Sequence, residues 1–550
     1  MGVAAAVFSA EEEASERGRQ GESLHVGLPG EDGSRACLGE ASGPSKRQAA
    51  PPSHRSSPCA ASLGQELLQL MGSSRRLTRP MLHLLLVPHL TELSLRTCPH
   101  LVSTAIAQII SVRCKSLSSL DLHGCSRIPS AILVDLLEGL PSLTKLSLSE
   151  TQSDTRVLSA VGSTCRRLRE LAVSNCKRLS AASLLHLAYD PCAGSFCCPR
   201  LQALWAEGLE PPTGSQVLVR ALAFLLLALP GLRSLGHRLA SEAVALIHAQ
   251  QFDGAQLAPG FPSLEELVGG RGPAHVAQEP CRATLPLKCL AEVREPLLPA
   301  VAATCPDLEE VVVVLLDDSP RLGHGFRSWK TLTRLTLDCE ENTSLGELVR
   351  EMAGLGAQLH SLSLGGFSLE EEATFHALLS CCPALRTFSA SLTPPVAWGA
   401  EGRQPAGEAL QGAASLRPLE LPQLRAFSLL LAPCDSSSPP PKAVVMQASL
   451  VSLLRGSPRL ETLAVVCLPF SLDEVFAGVL EPPGAALRHL QRLSLSQSDI
   501  SPSTIHRLLA SDNQLSHIGL EGCPGIHRRH HSELLRVVSQ QGLDVDITWD

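Results

Sequence analysis

Three segments of this chain spell one frame. Leu90-Thr-Glu-Leu93-Ser-Leu95-Arg-Thr-Cys98 is followed by Leu117-Ser-Ser-Leu120-Asp-Leu122-His-Gly-Cys125, and later by Leu168-Arg-Glu-Leu171-Ala-Val173-Ser-Asn-Cys176. The shared pattern is L-x-x-L-x-L-x-x-C. The L-x-L core alternates, so its leucines point to one side of a strand and the intervening residues to the other. First leucines fall at Leu90, Leu117, Leu143 and Leu168, at steps of 27, 26 and 25 residues. A step that long holds one strand and one helix, and such a unit cannot bury its apolar side alone. Stacked copies can, so the pattern predicts an α/β solenoid with parallel strands on the concave face and helices on the convex face.

The frame continues with looser spacing. Candidate units start at Leu201, Leu232 and Leu264, and the frame is restored at Leu308. Leu332, Leu359, Leu385, Leu424, Leu460, Leu490 and Leu515 follow. Between them the apolar period becomes helical, as in Pro129 to Leu137 and Val217 to Leu229. Ser344 with Glu347, Ser368 with Glu371, and Ser471 with Glu474 read as capping boxes. Ser501 before Pro502 reads as a further helix start. The steps to Leu424 and Leu460 are 39 and 36 residues, so both units carry insertions. The expected organisation is a low-complexity, disordered segment over 1–57, and an N-terminal helical cap or adaptor-binding segment over 58–87. A solenoid follows over 88–540, with irregular insertions near 271–286, 393–420 and 432–443, and a C-terminal end over 541–550.

Composition narrows the partners. The net charge of −8 on 550 residues gives no case for nucleic acid, which needs concentrated Lys and Arg. The longest apolar run, Ala221 to Leu229, is too short to span a bilayer. Many of the 19 cysteines occupy fixed frame positions, after a strand (Cys98, Cys125, Cys176, Cys523) or before one (Cys114, Cys165, Cys198, Cys305, Cys382). There they pack as small apolar side chains. With no basic, apolar leader at the start, this favours reduced thiols in the cytoplasm or nucleus. Outward strand positions include Glu92, Arg96, Asp121, His123, Lys145 and Glu170, a polar face of mixed charge. Aromatics are 3% of the chain, so binding on that face is expected to spread over a large area rather than over aromatic anchors.

Cys198-Pro-Arg-Leu201, Cys305-Pro-Asp-Leu308 and Cys382-Pro-Ala-Leu385, with the L-x-x-L-x-L run and its cysteine, resemble the cysteine-containing subclass of leucine-rich repeats. That subclass is best known from the repeat region of F-box/LRR proteins, substrate-recognition subunits of cullin–RING ubiquitin ligases. The resemblance covers most of residues 88 to 540 and implies a leucine-rich repeat horseshoe that binds protein on its concave face. No F-box precedes the repeats. Ser62-Leu63-Gly-Gln-Glu-Leu67-Leu-Gln-Leu-Met71 looks instead like a BC box, the elongin-binding helix of other ligase adaptors, with Leu67 where that motif has Cys. The resemblance implies elongin B/C or another cullin adaptor as partner through Ser62, Leu63, Leu67 and Met71. The alternative reading is a capping helix at the open end of the solenoid.

No catalytic constellation survives inspection. Cys523-x-x-x-His527-Arg-Arg-His530-His531 contains metal-binding residue types, but Cys523 is the frame cysteine and a second cysteine pair is absent. Gly323-His-Gly325 lacks the rest of a phosphate loop, and no G-x-S-x-G elbow occurs. The expectation is a non-enzymatic protein with no cofactor and no metal. It is either a ligase substrate receptor or a leucine-rich repeat scaffold without a ubiquitin link.

Overall fold

A computed structural model describes residues 58–549 apart from 75, 210–214, 253–256, 272–283, 317–325, 327, 395–415, 433–442 and 482–486. The expected low-complexity segment 1–57 lies outside the described residues, as does most of each of the three expected insertions. The described residues belong to one compact unit, Ser56–Asp550.

The leucine frames become strands. Six strands of three residues come first: β1 Glu92–Ser94, β2 Ser119–Asp121, β3 Lys145–Ser147, β4 Glu170–Ala172, β5 Ala203–Trp205 and β6 Ser234–Gly236. Longer ones follow: β7 Cys289–Arg294, β8 Glu310–Leu315, β9 Arg334–Ser344, β10 Ser361–Ser368, β11 Thr387–Thr393, β12 Ala426–Leu431, β13 Thr462–Val466 and β14 Arg492–Ser496. Two short ones close the series, β15 His517–Gly519 and β16 Asp546–Thr548. All sixteen pair in chain order in one sheet, every pair parallel. Parallel neighbours need a crossover. Helices supply most of them, such as Thr104–Arg113 between β1 and β2 and Ser215–Ala228 between β5 and β6. The fold is a leucine-rich repeat solenoid, and its helices are wider than its strands, so the strand face is the inner one.

The core runs between strand layer and helix layer. Leu93, Leu120, Leu146, Leu171 and Leu204 stack in register on the core-facing side of successive strands, each at most 3% exposed. Burying one leucine contributes roughly 1.5–3 kcal/mol before the entropy of ordering the chain is counted. No helix among the described residues is long and apolar enough to cross a membrane.

The structure departs from the expected pattern in four places. Leu264 does not open a strand; it begins a short helix, Leu264–Glu266, whose Ser263 hydroxyl accepts from the Glu266 N–H while the Glu266 carboxylate accepts from the Ser263 N–H. The strand of that unit is β7, which carries a register shift and Glu292 at φ 56°. Ser368 ends β10, so the next helix starts at Glu372 with Glu371 at its N-cap and no side-chain cap. Ser344 and Ser471 do cap helices, each accepting from the N–H two residues on rather than forming the full box. Finally, the sheet runs past residue 540, because β16 pairs with β15.

Two frame cysteines beside short strands bond back to the preceding unit. Cys176 Sγ donates to the Leu148 carbonyl of the preceding unit at 3.1 Å, and Cys523 Sγ donates likewise to Leu495. Thr151 stands at the same frame position in the third unit and donates to the Leu148 carbonyl at 2.6 Å. The fifteen cysteines whose side chains are described are free thiols. Burial pushes Cys165, Cys305 and Cys382 up to about 12, and burial with the nearby Asp121 charge does the same for Cys125.

Candidate interaction surface

Because β1 to β6 pair in register, their outward side chains form rows across that part of the sheet. The first row reads Glu92, Ser119, Lys145, Glu170, Ala203 and Ser234. The second reads Ser94, Asp121, Ser147, Ala172, Trp205 and Gly236. Neighbours in a row are one strand spacing apart, about 4.8 Å.

The six expected face residues are therefore close, but only some touch. Lys145 Nζ lies 2.9 Å from Glu170 Oε1, with Lys145 exposed and Glu170 partly so, an ion pair worth roughly 0–1 kcal/mol. Asp121 accepts from the Ser94 hydroxyl and from the His123 backbone N–H, each at 3.0 Å. His123 Nε2 lies 3.9 Å from Glu150. Glu92 and Arg96 are exposed and have no side-chain partner among the described residues. Arg96 and His123 sit in the turns just past β1 and β2, not on the strands, because these strands last only three residues.

Two features of the face escaped the sequence reading. Trp205 is 38% exposed on β5. Its indole lies across the next strand, where a Cβ on Gly236 would come within 2.5 Å of Trp205 Cδ1, so glycine leaves the space the ring fills. The expectation that binding spreads over the face without aromatic anchors did not foresee this exposed ring. The signal was present, since Trp205 follows the second frame leucine, Leu204, as Asp121 follows Leu120. The second feature is an arginine edge. Arg169 and Arg233 flank Gln202 in the backbone ladder just before the strands and are exposed. Arg167 and Arg200, each just before a first frame leucine, are exposed too. None of the four has a hydrogen-bond or ion-pair partner among the described residues.

The other candidate surface lies at the solenoid's first end. Helix α1, Pro58–Ser73, lies against β1, with Leu68 buried and Thr91 donating to Gln65 at 2.9 Å. Ser62 and Leu63 lie in α1, and their side chains fall outside the described residues. Leu67 is 47% exposed and Met71 half-buried. Leu70 is 61% exposed, and on helix α2, Arg79–Leu85, Leu84 is 78% exposed.

At the C-terminal end, Cys523 is occupied with its carbonyl, and His531 stacks on Trp549 at 5.6 Å and lies 3.2 Å from the Ile547 carbonyl oxygen. Among the described residues no three His, Cys, Asp or Glu side chains gather as a metal set.

No protein-family profile matches the chain. Among solved structures it is similar to one described as the crystal structure of the Rad7 and Elc1 complex in yeast. The likeness is 14% in identity over 87% of this chain and 96% of that one, with a TM-score of 0.38, too slight to carry function across.

Proposed function

We propose that this chain is a non-catalytic binding protein that holds a partner protein on its strand face. The observation that supports the reading is the face itself: sixteen parallel strands in one sheet, with Glu92 and Lys145 on its outward rows and Arg96 in the turn past β1, all exposed. Building such a sheet commits much of the chain to one long surface, and charge complementarity along it would select the partner. The finer reading is a substrate-recognition subunit of a cullin–RING ubiquitin ligase, working in the cytoplasm or nucleus. In that reading α1 has two sides. Its inner side, with Leu68, closes the solenoid, and its outer side, with Leu67 and Leu70, docks elongin B/C or another cullin adaptor as an apolar helix face. Leaving two leucines on one short helix in water suits a docking surface. The alternative is a scaffold whose α1 only caps the array.

Affinity purification of the full chain separates these readings. Leu67→Asp with Leu70→Asp should remove cullin adaptors while leaving strand-face partners. Glu92→Lys with Lys145→Glu should do the reverse. Recovery of strand-face partners without any cullin adaptor would leave the scaffold; unchanged recovery after the strand-face exchange would sink the binding reading itself.

A further inference from the structure

Resting on the reading of the strand face as a protein-binding surface, we propose that Trp205 and the arginine edge beside it form a docking site for an acidic, extended peptide segment of the partner. Trp205 stands among side chains too small to shield it. Its row neighbours are Ala172 and Gly236, and Ala203 and Ser234 occupy the row before. The lane from Ala172 to Gly236 carries no charged side chain, so an apolar group laid on the indole meets no desolvation penalty from its neighbours. Among the described residues the indole N–H has no partner.

Charge then chooses the occupant. On the side where the strands begin, Arg167, Arg169, Arg200 and Arg233 are exposed and have no ion-pair partner among the described residues. Their carboxylate competitors are few. Glu170 is engaged by Lys145, and Lys288, next in the ladder after Arg233, is engaged by Glu309. Where the strands end, Glu207 is exposed, with Arg238 in the neighbouring frame position. The free charge around Trp205 is therefore positive in a chain whose sum is −8. Guanidinium forks hold carboxylates by paired hydrogen bonds, stronger than neutral ones. Arg169 and Arg233 stand two strand spacings apart, about 10 Å, which an extended peptide covers in roughly three residues. An acidic segment with an apolar residue between carboxylates satisfies both features. Single-stranded nucleic acid fits less well, because it needs a series of stacking platforms and this lane offers one.

Fluorescence anisotropy on the full chain tests this with three labelled probes: a peptide of alternating Glu and Leu, its Lys–Leu counterpart, and a single-stranded oligonucleotide. The native chain should bind the Glu–Leu peptide in preference to both others. Trp205→Ala should weaken that binding roughly 10- to 30-fold, the effect of removing an aromatic anchor. Arg169→Glu with Arg233→Glu should abolish it and create binding to the Lys–Leu peptide. All three positions are exposed, so circular dichroism melts should match the native chain. Absence of Glu–Leu binding, equal binding by the variants, or tighter binding of the oligonucleotide would overturn the proposal. Partners that survive Trp205→Ala but are lost on Glu92→Lys with Lys145→Glu would overturn it alone and leave the strand-face reading standing.

Discussion

The first six strands and the eight after them solve the same problem differently. In β1 to β6 the chain spends three residues on the sheet and then turns, often through a left-handed position such as Gly124, Glu150 or Asn175. The turn is tied to its neighbour by backbone bonds, as from Glu150 N–H to the Ser174 carbonyl at 3.0 Å, and by the Cys and Thr ladder. The packing inside is mostly aliphatic. From β7 to β14 the strands run five to eleven residues, and pairing itself holds successive units, six residue pairs between β8 and β9. There aromatic rings fill the core: Phe388 stacks on Phe427 at 5.4 Å and meets Phe375 edge-on at 6.2 Å. One region is held at its turns and the other along its strands. The units that return to three residues, at β15, also return to the ladder through Cys523. Strand length and turn chemistry thus vary together.

The largest test of that contrast is Phe388→Ala. Phe388 is 2% exposed and touches rings on both sides, so its loss should cost about 3–5 kcal/mol, read from urea unfolding. Because solenoid units couple chiefly to their neighbours, amide hydrogen exchange should rise over β10 to β12 and stay unchanged over β1 to β4. An equal rise in both regions would show them to be one cooperative unit and would break the comparison.

A smaller effect is expected at the ladder. Cys176→Ala removes one donor to the Leu148 carbonyl, while Thr151 still donates to it, so the loss should be about 1 kcal/mol. Thr151→Cys, which completes the ladder, should be tolerated within about 1 kcal/mol by the same reasoning. A loss at Cys176 as large as that at Phe388 would mean that the turns, not the core, hold the first region.

The frame was legible wherever nothing interrupted it, because leucines such as Leu93, Leu120 and Leu335 must recur at fixed spacing to reach one core. It failed where a local device broke the period. In Leu290-Ala-Glu-Val293 the extra residue Glu292 turns left-handed, two residues separate the apolar positions, and the alternation that marks a strand vanishes. The Ser263–Glu266 pairing meanwhile makes Leu264 helical although its spacing suits a strand. The face residues Lys145 and Asp121 were legible from alternation alone. Trp205 was legible by the same alternation but was passed over, since a low aromatic count says how many rings there are and not which stand in the open. The pairing of Lys145 with Glu170 depends on register between units 25 residues apart, which no local pattern encodes.

Alkaline pH should weaken the ladder region. The folded chain holds Cys125 and Cys165 up to about 12, against the ordinary value of 9.0. The unfolded chain then loses thiol protons first as pH rises, so these groups' contribution is complete below about pH 9 and is lost towards pH 12. Melting temperature should fall across that window, and Cys125→Ala with Cys165→Ala should flatten the fall. A slope unchanged by the pair would place the alkaline loss elsewhere.

The smallest effect concerns the face, where the two regions stop differing. Lys145 with Glu170 in the first region and Arg334 with Glu310 in the second make the same kind of contact, between adjacent strands at 2.9 and 3.0 Å, with all four side chains substantially exposed. Water screens both pairs, and holding two long side chains still costs entropy, so each contributes little. Lys145→Ala and Arg334→Ala should each change stability by less than about 1 kcal/mol, and by less still at high salt. Equality of the two would confine the difference between regions to their turns and cores. It would also free the outward rows for recognition, since a position that holds nothing together can be altered to suit a partner without risk to the fold. A markedly larger loss at Lys145 would instead tie the first region's short strands to their face charges. Those positions would then be structural and unavailable for choosing a partner.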